Sequence, residues 1–367
     1  MAETEITSSD EAAAAEKRDD EIVRVCSYHR RDLDLVVVRS LPHEMQPVLA
    51  SIATAPEAKP QAHLGPLSSL PPELVSMVIL HLDVRSVFRL RQVNSLARSV
   101  VTDTWEYRLL AKHGLEGLRG LLRGGIAQFH LLRDLYRVLL QKSCAECGSF
   151  GHLLFLPTLE RCCHTCLREA ERYHVFARTT FASAAKVSRN SVERLGFSLR
   201  TVPGVYSWYG PVKMPPKYLV CDFAAWPVLL ARGMITDDAP QEIPIQDWTG
   251  PYRLMAATAF PSYSLSSGRV DRGLTCRGCP VLENTSNSVR FCKERCYSRE
   301  GFLAHFKECS RALRLWEDSR EGTREVDESE RVRMVTRGDG RMGLHDNDAW
   351  RRIRHHHWNA TALADLM

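Results

Sequence analysis

Apolar residues recur at helical spacing through residues 70–101. Leu74, Met77, Val78 and Leu82 lie three and four positions apart, the period of one helix. Pro71 and Pro72 open this helix, where a missing backbone N–H costs nothing. Asp83 is placed to cap a second helix that buries Val84, Val87 and Phe88. Asn94 or Ser95 caps a third, with Leu96, Val100 and Val101 on its apolar side. Three helices of this size make a small core, so a partner is expected to cover part of it.

The pattern changes along the rest of the chain. Leu109, Leu110, Leu115, Leu118, Leu121, Leu122, Leu131, Leu132, Leu135 and Leu139 give residues 105–141 an apolar helical face, and Gly114, Gly124 and Gly125 break it into pieces. Residues 171–200 read as mostly helical, whereas residues 202–247, rich in Pro, Tyr and Trp, predict irregular packing or short strands. Phe302–Trp316 predicts a helix, and the mixed charges of Glu321–Arg333 a solvated helix or linker. The apolar run Leu33–Val38 fits a strand or a helix equally. Residues 1–20 are charged, Ala-rich and without aromatics, which predicts disorder. The expected layout is a disordered N-terminal region and linker over residues 1–65, a three-helix module over 66–110 and a helical region over 111–170. A C-terminal region over 171–320 and a charged tail over 321–367 follow. The expected class is mainly α: an N-terminal three-helix module, then an irregular α+β region braced by its cysteines.

Composition narrows the function. With 367 residues the chain can bury one large or two modest cores. A net charge of +5 at this length does not by itself argue for nucleic acid. No apolar run approaches the ~20 residues that span a bilayer, and the N-terminus lacks an apolar secretory core. A cytoplasmic or nuclear location is therefore expected, and in that reducing setting the 12 cysteines point to metal and not to disulfides. There is no G-x-S-x-G, no P-loop and no His-x-x-x-His pair.

The cysteines form two clusters. Cys144 and Cys147 make one C-x2-C pair, Cys163 and Cys166 another; two such knuckles complete a tetrahedral thiolate site. The apolar segment between them suits a hairpin, Cys162 is expected as a packed thiol, and His164 as an exposed side chain. In the second cluster Cys276 and Cys279 form a knuckle. His305 and Cys309, four apart on a helix that Ser298 caps, complete a finger-like set. The rival set is Cys276, Cys279, Cys292 and Cys296. Either way both sites close at four protein ligands, so two structural zinc ions are expected and metal-assisted hydrolysis is not.

Residues 70–101 resemble the F-box. Leu70, Pro71, Glu73 and Leu74 match its opening Leu-Pro-x-Glu-Leu, Val78 and Leu82 its next apolar positions, and Val87, Phe88, Leu90 and Val93 its middle. The family's Trp after a basic pair is missing near Asn94–Arg98. Beyond this module the chain resembles a group of fungal F-box-containing proteins, through Cys144, Cys147, Cys163, Cys166, Cys276, Cys279, His305 and Cys309, with Tyr297–Phe306 as the nearest local match. The resemblance implies a non-catalytic receptor that docks a protein substrate, which the sequence does not name, onto the Skp-type adaptor of a cullin–RING ubiquitin ligase. Leu70, Pro71, Glu73, Leu74, Val78, Leu82 and Phe88 would contact the adaptor, and Arg85, Arg89 and Arg91 either form a solvated face or complement an acidic partner. The alternative is a zinc-containing nucleic-acid-binding protein, suggested by the basic helices. Glu300 and Glu308 on the finger-like helix oppose it. A RING arrangement is unexpected because a long stretch parts Cys166 from Cys276.

Overall fold

The computed structural model describes residues 2–54, 62–206, 213–236, 243, 250–279, 295–328, 332–333 and 336. They group into two compact units, one built on residues 34–270 and the other on residues 1–33 with 271–341. The chain opens with α1 (Ala2–Cys26), β1 (Ser27–Tyr28) and the short α2 (Arg31–Leu35).

The larger unit is mainly helical. It runs through α3 (Pro42–Ala53), α4 (Pro72–His81), α5 (Val84–Leu90), α6 (Ser95–Asp103), α7 (Trp105–His113), α8 (Leu115–Arg123) and α9 (Leu132–Leu140). The three patterned helices start where their caps were expected. The Asp83 carboxylate accepts from Ser86 N–H at 2.8 Å, and the Asn94 side chain accepts from Ala97 N–H at 2.8 Å. Each such cap is worth about 1 kcal/mol. Val75, Ile79, Val84, Val87 and Val101 are buried together with Leu110, Leu118, Leu132 and Leu135 in one core. Backbone bonds from Val84 N–H to His130 O (2.9 Å) and from Leu132 N–H to Leu82 O (3.0 Å) tie the α4–α5 turn to α9.

Two features here differ from the sequence reading. Arg91 is buried, not on a solvated face. It donates to Ser51 O, Ile52 O and Thr102 Oγ1 and lies over the Tyr107 ring. The apolar run at 33–38 is neither one strand nor one helix: Val36–Val38 are buried, and Val38 forms a parallel bridge with Thr258.

Small sheets and short helices follow. β2 (Leu153–Phe155) pairs antiparallel with β3 (Glu160–Cys162) and, on its other side, with the Ala257–Ala259 strand. The Tyr218–Cys221 strand pairs with Val175–Ala177 and Leu199–Arg200. α10 (His164–Glu169), α11 (Arg178–Ala184), α12 (Arg189–Arg194), α13 (Asp222–Ala231) and α14 (Gly250–Met255) pack on them. α13 lies in a stretch expected to be irregular. Pro227 masked the signal, yet Ala225, Trp226 and Leu229 bury one side of the helix against Phe181 and Val220.

The smaller unit joins distant parts of the chain. Ser27 and Tyr28 pair antiparallel with Cys276 and Thr275. α1 packs on α15 (Arg299–Glu308) and α16 (Ser310–Asp318). Ile22, Val25 and Cys26 share a small core with Phe302, Phe306, Ala312 and Trp316. The disorder expected over the first 20 residues is thus replaced by a helix. Its Ala12–Ala15 run has the best intrinsic propensity, and its end finds a tertiary partner that propensity alone does not reveal. The expected single helix 302–316 is two helices that meet at Cys309. The expected region 171–320 is likewise divided between the two units.

Candidate metal centres and docking groove

The first cluster belongs to the larger unit. Cys144 and Cys147 sit on a turn after α9 that Gly148 completes with φ +71°, a left-handed conformation that favours glycine. The carbonyl of Cys144 accepts from Gly148 N–H at 3.0 Å and its own N–H donates to Ser149 O at 2.6 Å. Hairpin β2–β3 then delivers Cys163 and Cys166 at the start of α10. Cys166 N–H donates to Cys163 Sγ at 3.4 Å, the amide-to-sulfur bond of a cysteine knuckle. The four sulfurs lie within 4.8 Å of one another, with Cys147 and Cys163 3.7 Å apart. Cys162 is fully buried and points elsewhere, as a packed thiol does. His164 is fully buried, against the expectation of an exposed side chain. Its place beside Leu167 at the start of α10 puts it on the inward side of that helix.

The sulfurs do not ionise readily as a group. The hydrogen bond from Cys163 pulls Cys144 down to about 4. The same bond and burial push Cys163 up, and burial with the Cys147 hydrogen bond pushes Cys166 up to about 12. Crowded thiols oppose a second and third negative charge; a divalent cation at their centre reverses that opposition.

The second cluster belongs to the smaller unit. The Thr275–Cys276 strand leads into the knuckle, and Gly278 lets it press against α16. A Cβ at Gly278 would fall 2.8 Å from the Arg311 carbonyl carbon and nearer still to Ala312 N. The Ser298 hydroxyl caps α15 by accepting from Gly301 N–H at 3.0 Å, and that helix carries His305. Cys309 ends it, its N–H bonded to His305 O at 3.0 Å. Cys279 Sγ lies 3.2 Å from His305 Nε2, and Cys276 Sγ lies 3.9 Å from Cys309 Sγ. Tyr297 stacks on the His305 ring at 4.8 Å and sets its plane. Burial and the nearby Arg295 push the His305 pKa down, which favours the neutral imidazole that binds metals. In the rival set, Cys292 lies outside the described residues, while Cys296 is buried near the Thr275 hydroxyl and is not among the four convergent groups. Both clusters can hold a metal ion.

The third feature is a groove of about 450 Å³ along the outer side of α4. Leu70, Leu74, Val78 and Leu82 line it, together with Met77 and His81. Pro71 and Glu73 are exposed at the start of the same helix. Phe88 is turned the other way: half-buried, it meets the Tyr107 ring edge-on at 6.3 Å, so it supports the core instead of the groove. Met77, 54% exposed, was not singled out for docking by sequence, although its i+3 spacing from Leu74 places it there. Val75 and Ile79, on the opposite side of α4, carry the contact with the core. One short helix is thus apolar on two faces, and only one of them is sealed by its own chain.

Among the described residues, no helix is long and apolar enough to cross a membrane. No curated protein and no solved structure matches the chain. Against known families, residues 67–109 match the F-box domain, a module that binds Skp-type adaptors in cullin–RING ligases. The chain carries an F-box whose outer helix face is open to a partner.

Proposed function

We propose that this chain is a non-catalytic substrate receptor of a Skp–cullin–F-box ubiquitin ligase. The observation that carries the reading is the exposed groove of Leu70, Leu74, Met77, Val78 and Leu82 inside the matched domain. A helix built only to support its own core would present polar residues on that side. In this reading the adaptor buries the groove, the rest of the chain holds a protein substrate, and the ligase supplies the chemistry. Ubiquitin transfer then gains from proximity and not from a residue of this chain.

The two cysteine-rich sites are assigned to structural zinc. Two sulfurs on a tetrahedral zinc at ~2.3 Å stand about 3.8 Å apart. The sulfur pairs here are separated by 3.7 and 3.9 Å. Cys144, Cys147, Cys163 and Cys166 would hold one ion, and Cys276, Cys279, His305 and Cys309 the other. Bound zinc would cross-link its four ligands and leave no open position for water. The arginines do not favour the nucleic-acid alternative: Arg30, Arg91 and Arg161 are buried and committed to Asp32 or to backbone carbonyls.

Co-purification with a Skp-type adaptor tests the receptor reading. Replacing Leu70→Ala together with Pro71→Ala should remove most of the adaptor, and undiminished recovery would count against it. Elemental analysis of the purified chain tests the metal assignment, with two zinc ions per chain as the expected stoichiometry.

A further inference from the structure

A second unpartnered surface lies on α13, away from the F-box groove in the sequence. The helix reads DFAAWPVLLA and is apolar nearly all round. Ala225, Trp226 and Leu229 account for its buried side, where Trp226 packs against Phe181 at 5.1 Å between ring centres. Phe223, Pro227 and Leu230 fall at i, i+4 and i+7 on the other side and are exposed. Phe223 is 52% exposed and Leu230 36%. A Schellman turn through Gly233 (φ +64°) ends the helix, and Met234 follows, also 36% exposed. The core asks for none of these outward side chains. Pro227 even costs the helix about 3 kcal/mol, because it removes the N–H that would bond to the Phe223 carbonyl.

Charge says what would cover this face. Residues 171–236 contain nine Lys and Arg against three Asp and Glu, an excess of six. The whole chain carries +5, so its positive excess is concentrated here. Lys186, Arg189, Arg194, Arg200, Lys213 and Arg232 are exposed. The Arg172 guanidinium lies over the Phe223 ring at 5.1 Å, and Arg178 lies over the neighbouring strand residue Tyr218 at 4.3 Å. An apolar stripe in a basic field complements an acidic segment with large apolar anchors. Nucleic acid would satisfy the cations but leave Phe223, Pro227, Leu230 and Met234 without a complement.

We propose that the outer face of α13 is the substrate-docking surface, and that its ligand is an acidic protein segment carrying aromatic or aliphatic anchors at helical spacing. The assignment rests on the receptor reading above and names the class of substrate it would take.

The test uses the full chain bound to a Skp-type adaptor and a pool of glutamate-rich synthetic peptides with Phe and Leu every third or fourth position. Fluorescence anisotropy should show binding that weakens as salt rises. Phe223→Ser with Leu230→Ser should weaken it by about tenfold or more while the melting curve and the adaptor content stay unchanged. If the pair lowers the melting temperature, Phe223→Ser alone carries the comparison. Equal binding by the variant overturns the proposal. So does an absence of binding, or equal binding of a pool with Gln in place of Glu. Binding of anionic vesicles, of single-stranded RNA or of a second copy of this chain that the variant abolishes, in place of peptide binding, also overturns it. If the wild-type chain binds the peptides but never retains the adaptor, the receptor reading fails and the docking surface stands.

Discussion

The two metal centres reach the same kind of site by opposite routes. The first draws its four sulfurs from residues 144–166, and one hairpin brings its knuckles together. It sits in a unit whose extensive core includes the F-box helices. The second takes a knuckle from 276–279 and its other ligands from the end of a helix, and its walls include Ile22, Val25 and Cys26 from the opposite end of the chain. Its core is a handful of side chains. Local assembly makes the first site an addition to a fold that has other support. Distant assembly makes the second the organising centre of its unit, where metal would supply energy that burial cannot.

That difference can be broken most directly at the ligands. Cys279→Ser should unfold the smaller unit, since apparent zinc binding energies near 10 kcal/mol exceed what so small a core provides. Cys147→Ser should leave the larger unit folded and adaptor binding intact. Hydrogen exchange resolved by segment reads both, and equal damage from the two substitutions would erase the distinction. Next in size is Ile22→Ala, with an expected cost of about 2–4 kcal/mol to the smaller unit alone, measured by denaturant unfolding. Gly278→Ala should cost roughly 1–3 kcal/mol because its methyl group meets the backbone of α16. Gly148→Ala, where only the positive φ is at issue and space is open, should cost about 1 kcal/mol.

The smallest effect concerns acid. Burial holds His130 and His174 of the larger unit at about 4, below the usual 6.5. Between these values the unfolded chain binds more protons than the folded one, so stability falls as pH drops from 6.5 towards 4. His130→Gln should flatten part of that slope in pH-dependent melts. An unchanged slope would show that His130 is already protonated in the fold.

The legible parts of the sequence were those in which chemistry is local. C-x2-C spacing, the Asp83, Asn94 and Ser298 caps and the leucine periodicity each depend on residues a few positions apart. The parts that were not legible depend on distant partners. Residues 2–26 look fit for disorder until α15 and α16 are placed beside Ile22 and Val25. Arg91 looks like a surface cation until the carbonyls of Ser51 and Ile52 appear next to it. His164 reads as exposed because a knuckle tip is usually wet, and here α10 turns it inward. On α4 the pattern showed an apolar helix, but only packing separates Val75 and Ile79, which hold the core, from Leu74, Met77 and Val78, which are left for a partner.

The division of α4 into an inner and an outer face is the claim on which the receptor account rests. Segment-resolved hydrogen exchange of the full chain, with and without a Skp-type adaptor, tests it most directly. The account predicts new protection centred on residues 67–82 and its loss in Leu74→Asp with Met77→Asp. Adaptor binding that leaves these residues unprotected, or that survives the double substitution, would contradict it.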